Sequence, residues 1–357
     1  MDFNRDKLVN WFIKNFGNYY LDMMNSQHYV DPLKPNIFHA EGSVWTHTMM
    51  VTTWVEALYS KEKFEDYISL LTTGLLHDLG KPSCEEQQEA NDEKPLRNSF
   101  KGHEGVSAHL SIAVLKALKQ DFPLIYTDDN IETIIKLVGT HGVAVDNSTL
   151  DERLTRLRCI FRECDKRGAI RMVDEGLFSQ YEKRKYSPLG VVDIQKELVI
   201  LTGQPCAGKS TLIKERYSDY TVISRDSFLM SYADKTLGLK GTYNEIYRYL
   251  RDNEAISKLV DSEFEKYLSE VAKTSNKVVI DMTMMPMSSR RKMCNKFPKF
   301  RRKSVVLMTD INTITLRNEQ RALDGKYISP KVFHSMRQGF VYPVLDEGFE
   351  SIELIIN

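Results

Sequence analysis

Six residues of types that bind divalent cations recur at helix-length intervals along the first half of the chain: His47, His77, Asp78, His103, His141 and Asp165. Neutral imidazole nitrogens and carboxylate oxygens together suit borderline divalent ions. Adjacent residues on a helix diverge by about 100°. His77 and Asp78 can therefore address two ions, with Asp78 bridging. A dinuclear pair of this kind holds a phosphate and lowers the pKa of a bridging water.

The second half carries a different chemistry. Residues 203–210, GQPCAGKS, fit G-x-x-x-x-G-K-[ST] after an apolar run, LVIL. A tight loop of Gly203, Gln204, Pro205, Cys206, Ala207 and Gly208, opening a helix at Lys209, Ser210 and Thr211, turns backbone amides toward phosphate oxygens. Lys209 is then expected to reach the β and γ phosphates of ATP or another NTP, and Ser210 to take Mg²⁺. Further on, SRDSF places Asp226 at the expected carboxyl end of a strand, where it can accept the proton of an attacking hydroxyl. VVIDMT places Asp281 similarly, near the Mg²⁺ water shell. Arg317 and Arg321, four apart on one helix face, are placed to close over a transferring phosphoryl group.

These residues need two kinds of scaffold. Up to about Met172, apolar residues recur at three and four, as in VWTHTMMVTTWVEAL and IETIIKLVG, and predict a helical bundle in which each helix offers an inward ligand. Beyond Tyr186, short β-rich runs (LVILTG, YTVISRD, KVVIDMT, SVVLMTD, SIELIIN) alternate with helical stretches, as in a mostly parallel α/β sheet. The expected division is an all-α domain over 1–186 and an α/β phosphotransferase domain over 187–357, joined near YEKRKYSPLG. A chain of 357 residues fits two domains of ordinary size.

Overall charge is balanced, but the halves differ. Up to Gly190 there are 23 basic and 28 acidic residues, −5; from Val191 there are 26 and 21, +5. That is a weak pointer to a polyanionic partner for the second half. No apolar run approaches the ~18 residues of a membrane span, and the first residues, MDFNRDKLVNWF, are not signal-like. A cytoplasmic protein without a membrane partner is expected. Five scattered cysteines without a C-x-x-C pair read as reduced thiols.

Through FHAEGSVWTHTMMV, LLHDLGKP, GHEGVSAHL and CDKRG, residues 36–167 resemble the HD phosphohydrolase superfamily, and most closely the HD domains attached to CCA-adding and RNA end-healing proteins. The resemblance implies two divalent transition-metal ions and a phosphate contact for Lys81. Through ILTGQPCAGKST, VISRDSF, VVIDMTMMPMSSRR and LRNEQR...ISPKVFHSM, residues 198 to about 345 resemble phage-type polynucleotide 5′-hydroxyl kinases. That likeness implies Asp226 as general base and Arg317 with Arg321 as a lid. It departs at Leu229, where the family carries an acceptor-gripping arginine; Arg225, Arg248 and Arg251 are the candidate substitutes.

Side by side, the halves resemble the HD-Pnk family of end-healing enzymes. The implied activity is removal of 3′-phosphate and 2′,3′-cyclic phosphate by the first half and 5′-phosphorylation by the second. The implied partners are RNA or DNA strand ends and a separate ligase, since no nucleotidyl-transfer domain is found. Two other classes stay open: an HD nucleotidase joined to a nucleoside kinase, and a regulatory protein that senses ATP.

Other residues are less telling. His39 reads as a helix-entry residue and His109 as a core or surface residue, while His28 and His334 suggest no partners. The run RRKMCNKFPKFRRK, eight basic residues from Arg290 to Lys303, reads either as a solvated face or as a phosphate-backbone contact.

Overall fold

The computed structural model describes residues 3–31, 36, 38–88, 97–143, 151–171, 193–323 and 326–357. The proposed linker, 181–190, lies outside them. The chain forms two compact units, Met1–Lys185 with Arg337–Tyr342, and Tyr186–Met336 with Pro343–Asn357. A short stretch near the carboxyl end thus packs with the first unit, although the expected division assigns everything past 187 to the second.

The first unit contains α1 (Arg5–Asn15), α2 (Gly17–Asn25), α3 (Val44–Tyr59), α4 (Phe64–Leu76), a hairpin of β1 (Glu86–Gln88) and β2 (Arg97–Ser99), α5 (His103–Asp121), α6 (Asp128–Thr140) and α7 (Glu152–Gly168). Helices α1 and α2 and the hairpin are not among the elements expected from sequence. Every residue of α4 from Asp66 to Leu76 is buried, as befits a helix that is apolar nearly all round. It packs against α3, α6 and α7, and α3 packs on α7. That last contact is very close. A Cβ on Gly168 would lie 2.4 Å from the Val51 side chain, so only glycine lets α7 approach α3 near enough to bring Asp165 to His47.

The second unit contains β3 (Asp193–Thr202), α8 (Lys209–Arg216), β4 (Thr221–Ile223), α9 (Arg225–Lys235), α10 (Tyr243–Asp252), α11 (Glu254–Thr274), β5 (Lys277–Ile280), α12 (Met287–Lys296), β6 (Phe300–Met308), α13 (Ile311–Ala322), α14 (Pro330–Gln338, whose last residues belong to the first unit) and β7 (Ser351–Ile356). Strand order is β4-β5-β3-β6-β7, and every pairing is parallel. The β-rich runs are continuous and apolar because helices cover both faces of a parallel sheet. Leu198, Ile200, Val278 and Ile280 pack against Phe264, Leu268 and Phe297 in one core cluster; Val199, Leu201 and Val279 pack against Leu212 and Ile213 in another.

Two of the eight residues in the basic run are structural. The buried Arg290 guanidinium pairs with both Glu347 oxygens at 2.7 Å. Arg302, also buried, donates to the carbonyls of Phe297, Gly348 and Pro298. Arg301 pairs with Glu350, Lys303 with Glu353, and Lys292 and Lys296 with Glu265. Arg290 and Arg302 are thus turned inward, while Lys292, Lys299 and Arg301 stay exposed.

Candidate functional sites

In the helical unit the six candidate cation ligands converge from five elements. His47 lies in the first turn of α3, His77 is the C-cap of α4 with Asp78 after it, His103 opens α5, His141 is the C-cap of α6, and Asp165 lies in the last turn of α7. His47, His77, Asp78 and His141 are buried, and Asp165 is partly open. They form two triads, His47–His77–Asp165 and Asp78–His103–His141, and within each the donor atoms lie within 4.8 Å of one another.

Each ring is aimed by its Nδ1. That atom meets the carbonyl of Gly74 in His77 (2.9 Å), of Phe100 in His103 (2.9 Å), of Val138 in His141 (2.8 Å) and of Gly168 in His47 (3.2 Å). With Nδ1–H donating outward, Nε2 presents a lone pair inward, the arrangement of metal-bound histidine. Arg158, buried, donates to the carbonyls of Thr140 and Val143 and so fixes the chain around His141.

The Nε2 atoms face acceptors rather than donors. His103 Nε2 lies 3.1 Å from His141 Nε2, His47 Nε2 3.0 Å and His77 Nε2 3.5 Å from Asp165 Oδ1. Asp78 spans the triads: Oδ1 is 3.2 Å from His103 Nε2, and Oδ2 is 3.2 Å from His77 Nε2. His77 Nε2 and Asp78 Oδ2 are buried without a well-formed hydrogen bond, although Lys81 Nζ stands 2.7 Å from that oxygen. Lone pairs facing lone pairs in a buried site call for cations between them. The residues therefore fit two divalent ions.

The same carboxylates set the charge of the cluster: burial alone would keep His77 neutral, yet Asp78 and Asp165 raise it to about 10, so its Nε2 carries a proton wherever no cation takes that proton's place. Burial would raise Asp78, but His77, Lys81 and His103 hold it well below the usual carboxylate range. Burial, with His103 and His77 nearby, pushes His141 down to about 4.

A second layer was not legible in the sequence. The Glu41 side chain is wholly buried, and its Oε1 lies 2.8 Å from His39 Nδ1 and 3.0 Å from His47 Nδ1. The His39 ring stacks on His28 at 4.5 Å, and His28 Nε2 lies 3.1 Å from Lys81 Nζ. His28, His39 and Lys81 line a cavity of about 360 Å³ with Asn98, Phe100 and His103. Only the spacing His39-x-Glu41 hinted at the pair. His109 is elsewhere, in the core, its Nδ1 2.7 Å from the Gly105 carbonyl and its ring against Phe340.

In the α/β unit the loop from Gly203 to Gly208 joins β3 to α8. Cys206 and Gly208 have positive φ, 66° and 100°, which turns the loop tightly enough to gather its amides; at Gly208, the N-cap of α8, glycine takes that angle without strain. Buried Gln204 donates to the Phe333 carbonyl, and Pro205 is half-buried. The Lys209 ammonium folds back onto the carbonyls of Gly203 (3.0 Å) and Gln204 (2.7 Å), and burial lowers it to about 8 despite Asp281 nearby. Ser210 Oγ donates to Asp281 Oδ2 at 3.4 Å; Thr211 is exposed. Arg317 and Arg321 reach the loop apex, donating to the Cys206 carbonyl (3.0 Å) and sulfur (3.3 Å).

Strand register sets the acids. Ile200, Ile223 and Ile280 share one row of the sheet, so the segments following β3, β4 and β5 leave it together. Asp281 directly follows β5. Asp226 is not at a strand end as expected but in the first turn of α9, whose N-cap is Ser224. Leu229 is buried among Ala233, Ile246, Leu250 and Val260. Of the arginines proposed to replace it, Arg225 pairs with Asp261, Arg251 with Asp252, and Arg248 is exposed.

One unit is thus a mostly helical domain with a cluster of side chains that could hold metal ions, the other an α/β domain of the P-loop kind. Residues 44–169 match the family model of the HD domain, and residues 198–343 match that of an AAA domain. No curated protein matches the chain. The crystal structure of a candidate kinase from Chloroflexus aurantiacus j-10-fl is similar at 17% identity over 45% of this chain and 85% of its own, with a TM-score of 0.34, a likeness too loose to carry an argument. Among the described residues no helix is long and apolar enough to cross a membrane.

Proposed function

We propose that the chain is a bifunctional nucleic-acid end-healing enzyme of the HD-Pnk kind. Its helical domain, 1–186, removes 3′-phosphate and opens 2′,3′-cyclic phosphate at a strand end. Its α/β domain, 187–357, phosphorylates the 5′-hydroxyl. The observation that carries this reading is the presence, in one chain, of a cluster fitted to two divalent ions and of a phosphate-binding loop with Asp226 near Lys209. Removing phosphate from one end and adding it to the other are the opposite operations that a break with 2′,3′-cyclic phosphate and 5′-hydroxyl ends requires.

In the helical domain His47, His77 and Asp165 would hold one ion and Asp78, His103 and His141 the other. Bound there, divalent ions would supply a nucleophilic water at neutral pH and neutralise phosphate charge. Lys81 contributes its ammonium to a phosphate oxygen while it offsets the buried Asp78. Glu41 keeps His47 in the tautomer that presents Nε2.

In the α/β domain the amides of 203–208 cradle the phosphates of ATP, and Ser210 with Asp281 would hold Mg²⁺, which would neutralise the β and γ phosphates. The Asp226 carboxylate takes the proton of the 5′-hydroxyl. The 5′ oxygen of the strand bonds to the γ-phosphorus as the bond to the β–γ bridging oxygen breaks, leaving ADP and a 5′-phosphate. Lys209, Arg317 and Arg321 donate to the transferring phosphoryl oxygens. A polynucleotide ligase acts downstream.

The test is one incubation. An oligonucleotide with 5′-hydroxyl and 2′,3′-cyclic phosphate ends, treated with ATP and divalent metals, is expected to gain 5′-phosphate and lose the 3′ phosphate. Turnover of free nucleosides and nucleotides in preference to the strand would instead favour a nucleotide-metabolising enzyme.

A further inference from the structure

We propose that helix α10 is the acceptor wall of the kinase site: Tyr243 positions the Asp226 carboxylate, and the exposed ring of Tyr247 stacks the 5′-terminal nucleobase of the strand. The inference rests on reading the α/β unit as a polynucleotide kinase, and names the residues that receive its acceptor.

The argument starts from a gap. The position three after Asp226 carries Leu229, which is only 2% exposed. Its side chain belongs to a core cluster with Ile246 and Leu250 of α10, so it cannot grip an anionic strand. What it does is seat α10 against α9 at the level of the proposed base. The amino end of α10 is pinned by a capping box, in which Thr242 N donates to Glu245 Oε2 at 2.7 Å and the Thr242 hydroxyl accepts from Glu245 N.

With Ile246 and Leu250 turned inward, the adjoining stripe at four-residue spacing carries Tyr243, Tyr247 and Arg251. Tyr243 is half-buried, and its hydroxyl donates to Asp226 Oδ1 at 3.0 Å. One carboxylate oxygen is thereby engaged and the rotation of the group restrained. Burial and the Asp226 charge raise the Tyr243 phenol, so it stays a proton donor in that bond. The Tyr247 ring lies against Tyr243, centroids 5.9 Å apart and planes within 22°, and Tyr247 is 51% exposed.

An aromatic face held rigidly beside a carboxylate that deprotonates a strand end suits a nucleobase, because every base has a π-face. Arg251, one turn further along, has its side chain 68% exposed in a surface pair with Asp252, a pairing weak enough to yield to the next phosphodiester. The occupant is therefore the first nucleotides of a 5′-hydroxyl strand, in keeping with the excess of positive charge in this half.

The test uses the full chain, ATP, a 5′-hydroxyl oligonucleotide, and the same oligonucleotide with an abasic 5′-terminal residue. Tyr247→Ala should raise the acceptor KM roughly tenfold or more and leave the KM for ATP unchanged, while Tyr247→Phe should stay near wild type. The abasic substrate should impose a similar penalty on the wild type and no further penalty on Tyr247→Ala. Tyr243→Phe keeps the ring and loses the hydrogen bond, so kcat should fall roughly tenfold or more with both KM values held. A wild-type acceptor KM in Tyr247→Ala, or an equal abasic penalty in both proteins, would overturn the stacking role. Unchanged kcat in Tyr243→Phe would overturn the positioning role. A wild-type protein that phosphorylates no strand at all removes the kinase reading and this inference together, an outcome distinct from an active wild type with indifferent variants.

Discussion

The His–Asp cluster and the P-loop are built in opposite ways. The loop is contiguous, eight residues whose own backbone dihedrals and following helix form the cradle, and its neighbours mainly add acids and arginines around it. The cluster has no local core: His47 and Asp165 lie 118 residues apart in sequence and 3.0 Å apart in space, and the ligands meet because helix ends are stacked at one place. A contiguous site depends on backbone conformation, whereas a convergent one depends on packing and on buried polar partners that aim each ring. The first tolerates change at a distance; the second should fail through residues that touch no substrate.

The largest effect expected is from Asp78→Ala, which removes the carboxylate spanning both triads. Metal content should drop by at least one ion and 3′-phosphatase activity fall to background, with kinase activity retained, as metal analysis and end-labelled assays would show. Lys209→Ala should give the reverse pattern. Loss of both activities in either folded variant would mean that the two sites are one.

Next comes Asp226→Ala. Removal of a general base typically lowers rate by 10² to 10⁴; here kinase turnover should fall on that order while ATP binding, read by calorimetry, persists. That result would set the α9 carboxylate apart from the loop itself.

Glu41→Ala tests the claim about convergence, since Glu41 lies before the HD-matched residues and in neither triad. Loss of such an orienting partner typically weakens metal affinity roughly 10- to 100-fold, measurable by competition with a chelating dye. Glu41→Gln should recover much of the loss, because its oxygen can still accept from His47 Nδ1.

The smallest effect, absent at neutral pH, concerns packing around His109. Burial pushes this imidazole down to about 4, from 6.5 when unfolded. Between these values the unfolded chain binds a proton that the folded chain does not. Its contribution to stability is therefore complete above pH 6.5 and shrinks as pH falls toward 4, by on the order of 3 kcal/mol. Denaturant titrations should show a flatter acid limb in His109→Gln.

The sequence by itself determined what periodicity and local motifs can carry. Helical spacing around His47, His77, His103, His141 and Asp165, and strand–loop–helix chemistry around Gly203–Ser210, follow from short-range rules: 3.6-residue turns, positive φ at a loop glycine, apolar runs in a sheet covered on both faces. Only the tertiary structure decided that Glu41 aims His47, that His28 and His39 line the space beside Lys81, that Leu229 seats α10 so that Tyr243 meets Asp226, and that Arg290 and Arg302 are buried in ion pairs and carbonyl contacts rather than offered to a strand. Those are facts of packing between distant segments. A charge or ring looks the same in sequence whether its partner is solvent, a carboxylate fifty residues away or a substrate, and burial alone separates the cases.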